Sequence, residues 1–298
     1  MSSSRYWELT VEVPEEASEG VTNLVWELGA LGVVEEEAPG RPPRLRAFFP
    51  KTTFARALEE SVREYLVGLR ELGFPGAGEP SVVALANEDW AEAWRAHFRP
   101  LPVGKRLLIA PPWDRPPANG RVVIAIEPGR AFGTGQHPST LGCLERLESL
   151  IARTAPRRLI DLGTGSGVLA IAAARLGVGQ VLAVDDDPDA VASAMANAAR
   201  NRVCDRVRCV LGDAGALADS AAPLVVANLL TTAHLRLAPR YARYVAPGGA
   251  LVLGGVLDAE AAGVEVAVGG HGFAPRASIS VEGWTTLELA RAPLHDRA

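Results

Sequence analysis

The stretch that decides the fold is 159-LIDLGTGSGVLAIAAARLG-177. An apolar strand runs into Asp161, glycines follow at alternate positions (Gly163, Gly165, Gly167), and an alanine-rich apolar segment succeeds them. Glycine lets the backbone turn tightly and lets a ligand lie against it. The helix that follows aims unpaired N–H groups and a partial positive charge at that ligand. The pattern therefore predicts strand, cradle, helix, with the helix starting near Ser166.

Two ligand chemistries fit such a cradle. Gly165, Gly167 and Ala170 satisfy GxGxxA, and Asp185 stands about twenty residues on, as a dinucleotide site requires. Asp161 adds the D-x-G-x-G-x-G pattern typical of methyltransferases. A carboxylate there can hold the ammonium of S-adenosyl-L-methionine, a group that NAD lacks. Asp185, the acid that ends QVLAVD, suits ribose hydroxyls, although it also begins the run DDDP. Asp213, in LGDAGAL, falls where adenine edges are commonly read. Asn228, in VVANLL, falls at the strand ends where open α/β sheets bind ligands; its alternative role is to cap the next helix.

Outward from the cradle, RRLIDL, QVLAVD, RVRCVLG, LVVANL and ALVLGG read as strands separated by helical stretches. That order predicts a parallel, doubly wound α/β sheet. Residues 278–282 and WTTLELAR add a terminal hairpin, which is unusual for dehydrogenases. Upstream, 132-FGTGQHPST-140 is a second glycine-rich loop. His137 in it reads as a turn histidine, and Cys143 beyond it as a core residue.

The first third has a different pattern. RYWELTVEV alternates, with Trp7, Leu9, Val11 and Val13 on one face. Helical, strand, strand, helical and strand patterns follow, ending in SVVALAN. The order β-α-β-β-α-β predicts a ferredoxin-like α+β domain over residues 1–87. Such a domain covers one sheet face with helices and leaves the other open to a partner. Residues 88–100, EDWAEAWRAHFRP, predict a linker helix stopped by Pro100 and Pro102, and residues 101–298 form the second domain. Residues 1–100 carry 17 acidic against 10 basic side chains, whereas residues 101–298 carry 18 against 20. An acidic first domain favours a basic partner over nucleic acid, or it serves only as a solubilising surface.

Composition narrows the rest. Cys143, Cys204 and Cys209 form no CxxC pair and no zinc spacing. No apolar run reaches membrane-spanning length, and MSSSRYWELTVEVPEE has no apolar leader. The expectation is a cytoplasmic monomer without metal, membrane or direct nucleic-acid partner.

Taken together, FGTGQHPST, DLGTGSGVLAIAA, VDDDP and VVANLL, preceded by EDWAEAWRAHFRP, closely resemble the PrmA family, the bacterial methyltransferases of ribosomal protein L11. The resemblance covers nearly the whole chain and is strongest from Glu88 to Leu230. It implies a class I, Rossmann-like, seven-stranded methyltransferase domain that uses S-adenosyl-L-methionine. The methyl acceptors would be lysine ε-amines and the N-terminal α-amine of ribosomal protein L11. It assigns cofactor binding to Thr140, Gly163, Asp185 and Asn228, to which Asp161, Gly165, Gly133 and Asp213 are added by position. Phe132, Gly133 and Thr134 would close over the methionine end as part of a lid hinged at its glycines. Asn228, Phe132 and Thr134 are the expected catalytic residues. Where the family usually has an apolar residue, as in D-I-D-P, this chain has Asp186, which should be exposed. Two other classes stay open: a methyltransferase of the same fold acting on another protein or on nucleic acid, and a non-enzymatic sensor of the cofactor.

Overall fold

A computed structural model describes residues 6–30, 32–36, 42–71, 78–85, 98–128, 137–218 and 220–293. The chain divides into two compact units, Met1–Arg99 and Pro100–Ala298. The linker helix expected at 88–100 falls largely on residues 86–97, which lie outside the described residues.

The first unit runs β1 (Tyr6–Glu12), α1 (Glu15–Glu27), β2 (Gly32–Glu36), β3 (Arg44–Pro50), α2 (Ala55–Glu71) and β4 (Ser81–Leu85). Its strands form an antiparallel sheet in the order β2-β3-β1-β4. Period-two alternation puts Leu9, Val11, Leu45, Ala47 and Phe49 into one core with Val21, Val25, Val62 and Leu66 of the two helices. The opposite face departs from expectation, because its centre is not open. Glu8 and Phe48 pair across β1 and β3, and both are buried. Arg46 on the same face bonds Glu8 and, at 2.8 Å, Glu36. Its guanidinium lies 5.6 Å from the Phe48 ring centre. A paired arginine set on an aromatic ring occupies the centre of this face, whereas Glu12 and Arg44 at one end and Ser81 and Val83 of β4 are exposed.

The second unit opens with a small sheet of β5 (Leu101–Val103), β6 (Leu107–Ala110) and β7 (Val122–Ala125), followed by α3 (Pro138–Thr154). Its main sheet contains β8 (Arg158–Leu162), β9 (Gln180–Asp185), β10 (Val207–Leu211), β11 (Ala222–Asn228), β12 (Val245–Leu257), β13 (Phe273–Val281) and β14 (Trp284–Arg291). The order is β10-β9-β8-β11-β12-β14-β13. Strands β8 to β12 are parallel, and β14 is antiparallel to both its neighbours. Helices α4 (Val168–Arg175), α5 (Pro188–Arg200), α6 (Thr231–Tyr244) and α7 (Ala261–Gly269) connect them.

Alternate residues of the central strands enter different layers. Leu159 and Val226 join one core with Leu144, Leu147 and Ile171. Ile160, Val225 and Ala227 join the other with Leu237, Tyr241 and Val264. A sheet buried on both faces explains why these strands read as unbroken apolar runs. The order reverses at β8, between β9 and β11. A crevice at that switch point is where a doubly wound sheet binds its ligand, and β8 delivers DLGTGSG there.

Candidate functional site

The cradle closes by backbone geometry. Gly163, Gly165 and Gly167 have φ of +70°, +53° and +82°, a region that costs residues with a Cβ about 1–2 kcal/mol each. The left-handed Gly167 is the N-cap of α4, so the helix begins at Val168 rather than near Ser166. Gly163 and Thr164 donate to the Val184 carbonyl at 2.8 and 3.0 Å, which ties the loop to β9. A Cβ on Gly163 would overlap Cδ2 of Leu229.

Two carboxylates brace this loop. Asp185 Oδ2 accepts from the Gly165 N–H at 2.8 Å, and Oδ1 from Asp187 N–H at 3.1 Å. Asp161 is fully buried. Its Oδ2 accepts from the Thr164 hydroxyl at 2.7 Å and from Ala170 N–H at 3.2 Å. Its Oδ1 is buried with no hydrogen-bond partner among the described residues. Burial raises the Asp161 pKa to about 7 against the lowering effect of those two bonds, and the Asp185 charge adds to the rise. Asp186 is exposed, as expected. Asp213 is exposed, and its Oδ1 accepts from Gly215 N–H at 2.7 Å in its own turn.

Asn228 ends β11 beside the cradle. Its Nδ2 donates to Thr140 Oγ1 at 3.2 Å. Its Oδ1 is buried and has no partner among the described residues. It does not cap the next helix: the N-cap of α6 is Leu230, which makes no side-chain cap bond. Thr140 is fully buried in the first turn of α3. His137 is the N-cap of α3; Ser139 N–H donates to its Nδ1, and its ring meets Trp284 edge-on at 4.8 Å. Burial lowers the His137 pKa. Phe132, Gly133 and Thr134 lie outside the described residues.

Polar helix residues that the sequence reading passed over also support the site. Asn197 Nδ2 donates to the Ser166 carbonyl at 2.9 Å. Asn201 pairs with both backbone groups of Ala125, at 2.8 and 2.7 Å. Buried His234 bonds Tyr241 and the Gly254 carbonyl, each at 2.7 Å. The available signal was spacing: Asn197/Asn201 and His234/Tyr241 sit one and two turns apart on helical faces that are otherwise apolar.

A glycine cradle, an acid at the end of β9, a buried unsatisfied carboxylate oxygen and a buried unsatisfied amide oxygen suit a nucleoside that carries a cationic amino acid. A dinucleotide would leave the unsatisfied Asp161 oxygen without a cation. Fold and site together define a class I methyltransferase.

The family model described as Ribosomal protein L11 methyltransferase (PrmA) matches residues 5–292. The Ribosomal protein L11 methyltransferase of Trichlorobacter lovleyi is 37% identical, with 98% of this chain and 100% of that protein covered. The one from Chloroflexus aurantiacus is 36% identical, covering 92% and 94%. A solved structure of ribosomal protein L11 methylase from Lactobacillus delbrueckii subsp. bulgaricus superposes with a TM-score of 0.61 at 29% identity, over 65% of this chain and 100% of that one. The chain belongs to the PrmA family, and its methyl donor is S-adenosyl-L-methionine. Among the described residues, no helix is long and apolar enough to cross a membrane.

Proposed function

We propose that the chain methylates ribosomal protein L11, on lysine ε-amines and on the N-terminal α-amine. The observation that carries the reading is Asn228, whose amide is held through Nδ2 by Thr140 while its buried Oδ1 has no partner. An amide oxygen fixed in this way accepts a hydrogen bond from an incoming amine. Bound S-adenosyl-L-methionine supplies the sulfonium methyl group. Gly163, Gly165 and Thr140 would flank it, Asp185 would accept from the ribose hydroxyls, Asp161 Oδ1 would take the ammonium, and Asp213 would read the adenine edge.

The amine must be neutral to attack. At pH 7 this costs a lysine roughly 4–5 kcal/mol and an α-amine about 1 kcal/mol. Neither histidine near Asn228 serves as base. His234 is engaged by Tyr241 and Gly254, and His137 by the turn of α3. Solvent takes the proton before closure, and desolvation beside a cation keeps the amine neutral. The chain then contributes positioning. The family resemblance assigns Phe132 and Thr134 to the methyl end, and Leu229 and Leu230 would give an apolar wall in which a methylated amine can turn for another round.

The first unit, read as a ferredoxin-like domain over residues 1–87 and joined through a linker at 88–100, recognises the basic substrate by its net negative charge. Its β2-β3-β1-β4 order over two helices supports that reading. The apolar Leu229-Leu230 after Asn228 offers no aromatic platform for a nucleic-acid base, which disfavours the alternative substrate class. The deciding experiment incubates the protein with ribosomal protein L11 and labelled S-adenosyl-L-methionine and maps methyl groups by mass spectrometry. Absence of methylated lysine and α-amine overturns the proposal.

A further inference from the structure

We propose that His234 is a positioning residue for methyl transfer: it holds the Asn228 end of β11 against the cofactor cradle. The inference rests on the reading of Asn228 as the residue that receives the amine.

His234 lies in the first turns of α6 and is fully buried. Its Nε2 is 2.7 Å from the Gly254 carbonyl oxygen, and its Nδ1 is 2.7 Å from the Tyr241 hydroxyl. A carbonyl only accepts, so Nε2 carries the proton and Nδ1 receives the Tyr241 O–H. One tautomer of a neutral ring satisfies both bonds. Burial agrees, pushing the pKa down to about 4 against the opposing pull of the Gly254 and Leu229 backbone.

The Gly254 carbonyl is the hub of the strand end. Gly254 pairs with Asn228 in the β11–β12 ladder, and its carbonyl also accepts the Leu229 N–H at 3.2 Å. Gly255, at φ +74°, lies bare against the Leu229 peptide, and a Cβ there would run into the Leu229 carbonyl. On its other side, the Leu229 side chain covers Gly163 of the cradle. Leu229 is therefore gripped between the cofactor loop and Gly254–Gly255, and its neighbour Asn228 takes its direction from that grip. His234 is the side chain that fixes the Gly254 carbonyl from behind. Moving that carbonyl shifts Asn228 relative to the cradle and leaves the cradle's own bonds to Val184 and Asp185 in place.

The test compares turnover on ribosomal protein L11, S-adenosylhomocysteine affinity by calorimetry, and thermal stability. His234→Phe keeps a ring but removes both hydrogen bonds. Turnover should fall about tenfold while the affinity moves less than about threefold. His234→Gln, whose amide can still donate to Gly254, should recover most of the turnover. Tyr241→Phe removes only the Nδ1 partner and should lower turnover in the same direction with the fold intact. Val264→Ala, a buried change in the apolar cluster that holds Tyr241, is the stability control and should keep turnover per folded molecule. If His234→Phe behaves like Val264→Ala, if glutamine gives no rescue, or if Tyr241→Phe leaves turnover unchanged, His234 is packing and the proposal falls. Asn228→Ala, measured alongside, separates the two readings. Full turnover in that variant sinks the amine-holding role itself. Lost turnover there, with none lost in His234→Phe, sinks only the role of His234.

Discussion

Thr140 and Asn228, 88 residues apart in the chain, meet through a 3.2 Å bond from the asparagine Nδ2 to the threonine Oγ1. The bond ties the asparagine side chain to α3. With Nδ2 on the threonine, the buried Oδ1 is the end of the amide that has no partner among the described residues.

Thr140→Val keeps the shape of the side chain and removes the acceptor. Turnover should fall about tenfold, the scale of one lost hydrogen bond in an oriented group. Asn228→Ala should cost at least as much turnover. Because Asn228 is not the cap of α6, thermal unfolding should move little in either variant. A large stability loss with normal turnover per folded molecule would return Asn228 to a structural role.

Gly163→Ala tests the cradle. The left-handed φ costs about 1–2 kcal/mol, and the new methyl overlaps Leu229. The Leu229 side chain must move away from the loop. Calorimetry should show S-adenosylhomocysteine binding weakened by at least about tenfold, and wild-type affinity would show that the loop does not touch the ligand.

Asp161 predicts a pH dependence. Its folded pKa is raised from 3.8 to about 7, so its neutral form is the one the fold favours. The contribution to stability is complete below the unfolded pKa and is lost as pH rises through about 7. Asp161→Asn should therefore gain thermal stability relative to wild type as pH rises from about 4 to about 7, on the order of a few degrees. A ligand ammonium at Oδ1 reverses the preference. Wild-type affinity for S-adenosylhomocysteine should rise from about pH 5.5 to pH 7, a range in which the ligand's amino-acid ammonium stays charged, and Asp161→Asn should flatten that rise. Parallel pH profiles in both proteins would remove Asp161 from ammonium binding.

The first unit is tested by removal. A fragment beginning at Leu101 retains both cores of the second unit. It should bind S-adenosylhomocysteine normally and lose methylation of ribosomal protein L11 at ordinary concentrations. In the full chain, raised salt should slow methylation chiefly through encounter with the basic substrate. Equal activity in fragment and full chain would show that recognition lies elsewhere. Activity indifferent to salt would reduce the acidic balance to a solubilising surface.

The strand, glycine and helix order of Leu159–Gly177, the alternation of later strands and helices, and the acids at the strand ends were legible in the sequence alone. Each is a local matter: the period of apolar residues states how many faces an element buries, and glycine spacing states where φ turns positive. The same local reading misplaced the start of α4, because Gly167 in its left-handed state caps the helix instead of entering it. Other features belong to the tertiary structure. Register between β11 and β12 sets Gly254 beside Asn228, and the packing of α6 brings His234 behind it. The docking of α3 delivers Thr140, and the pairing of β1 with β3 buries Glu8 against Phe48. These partners lie far apart in the chain. A hydrogen bond depends on position to within a fraction of an ångström, and only the packed sheet and helices supply that.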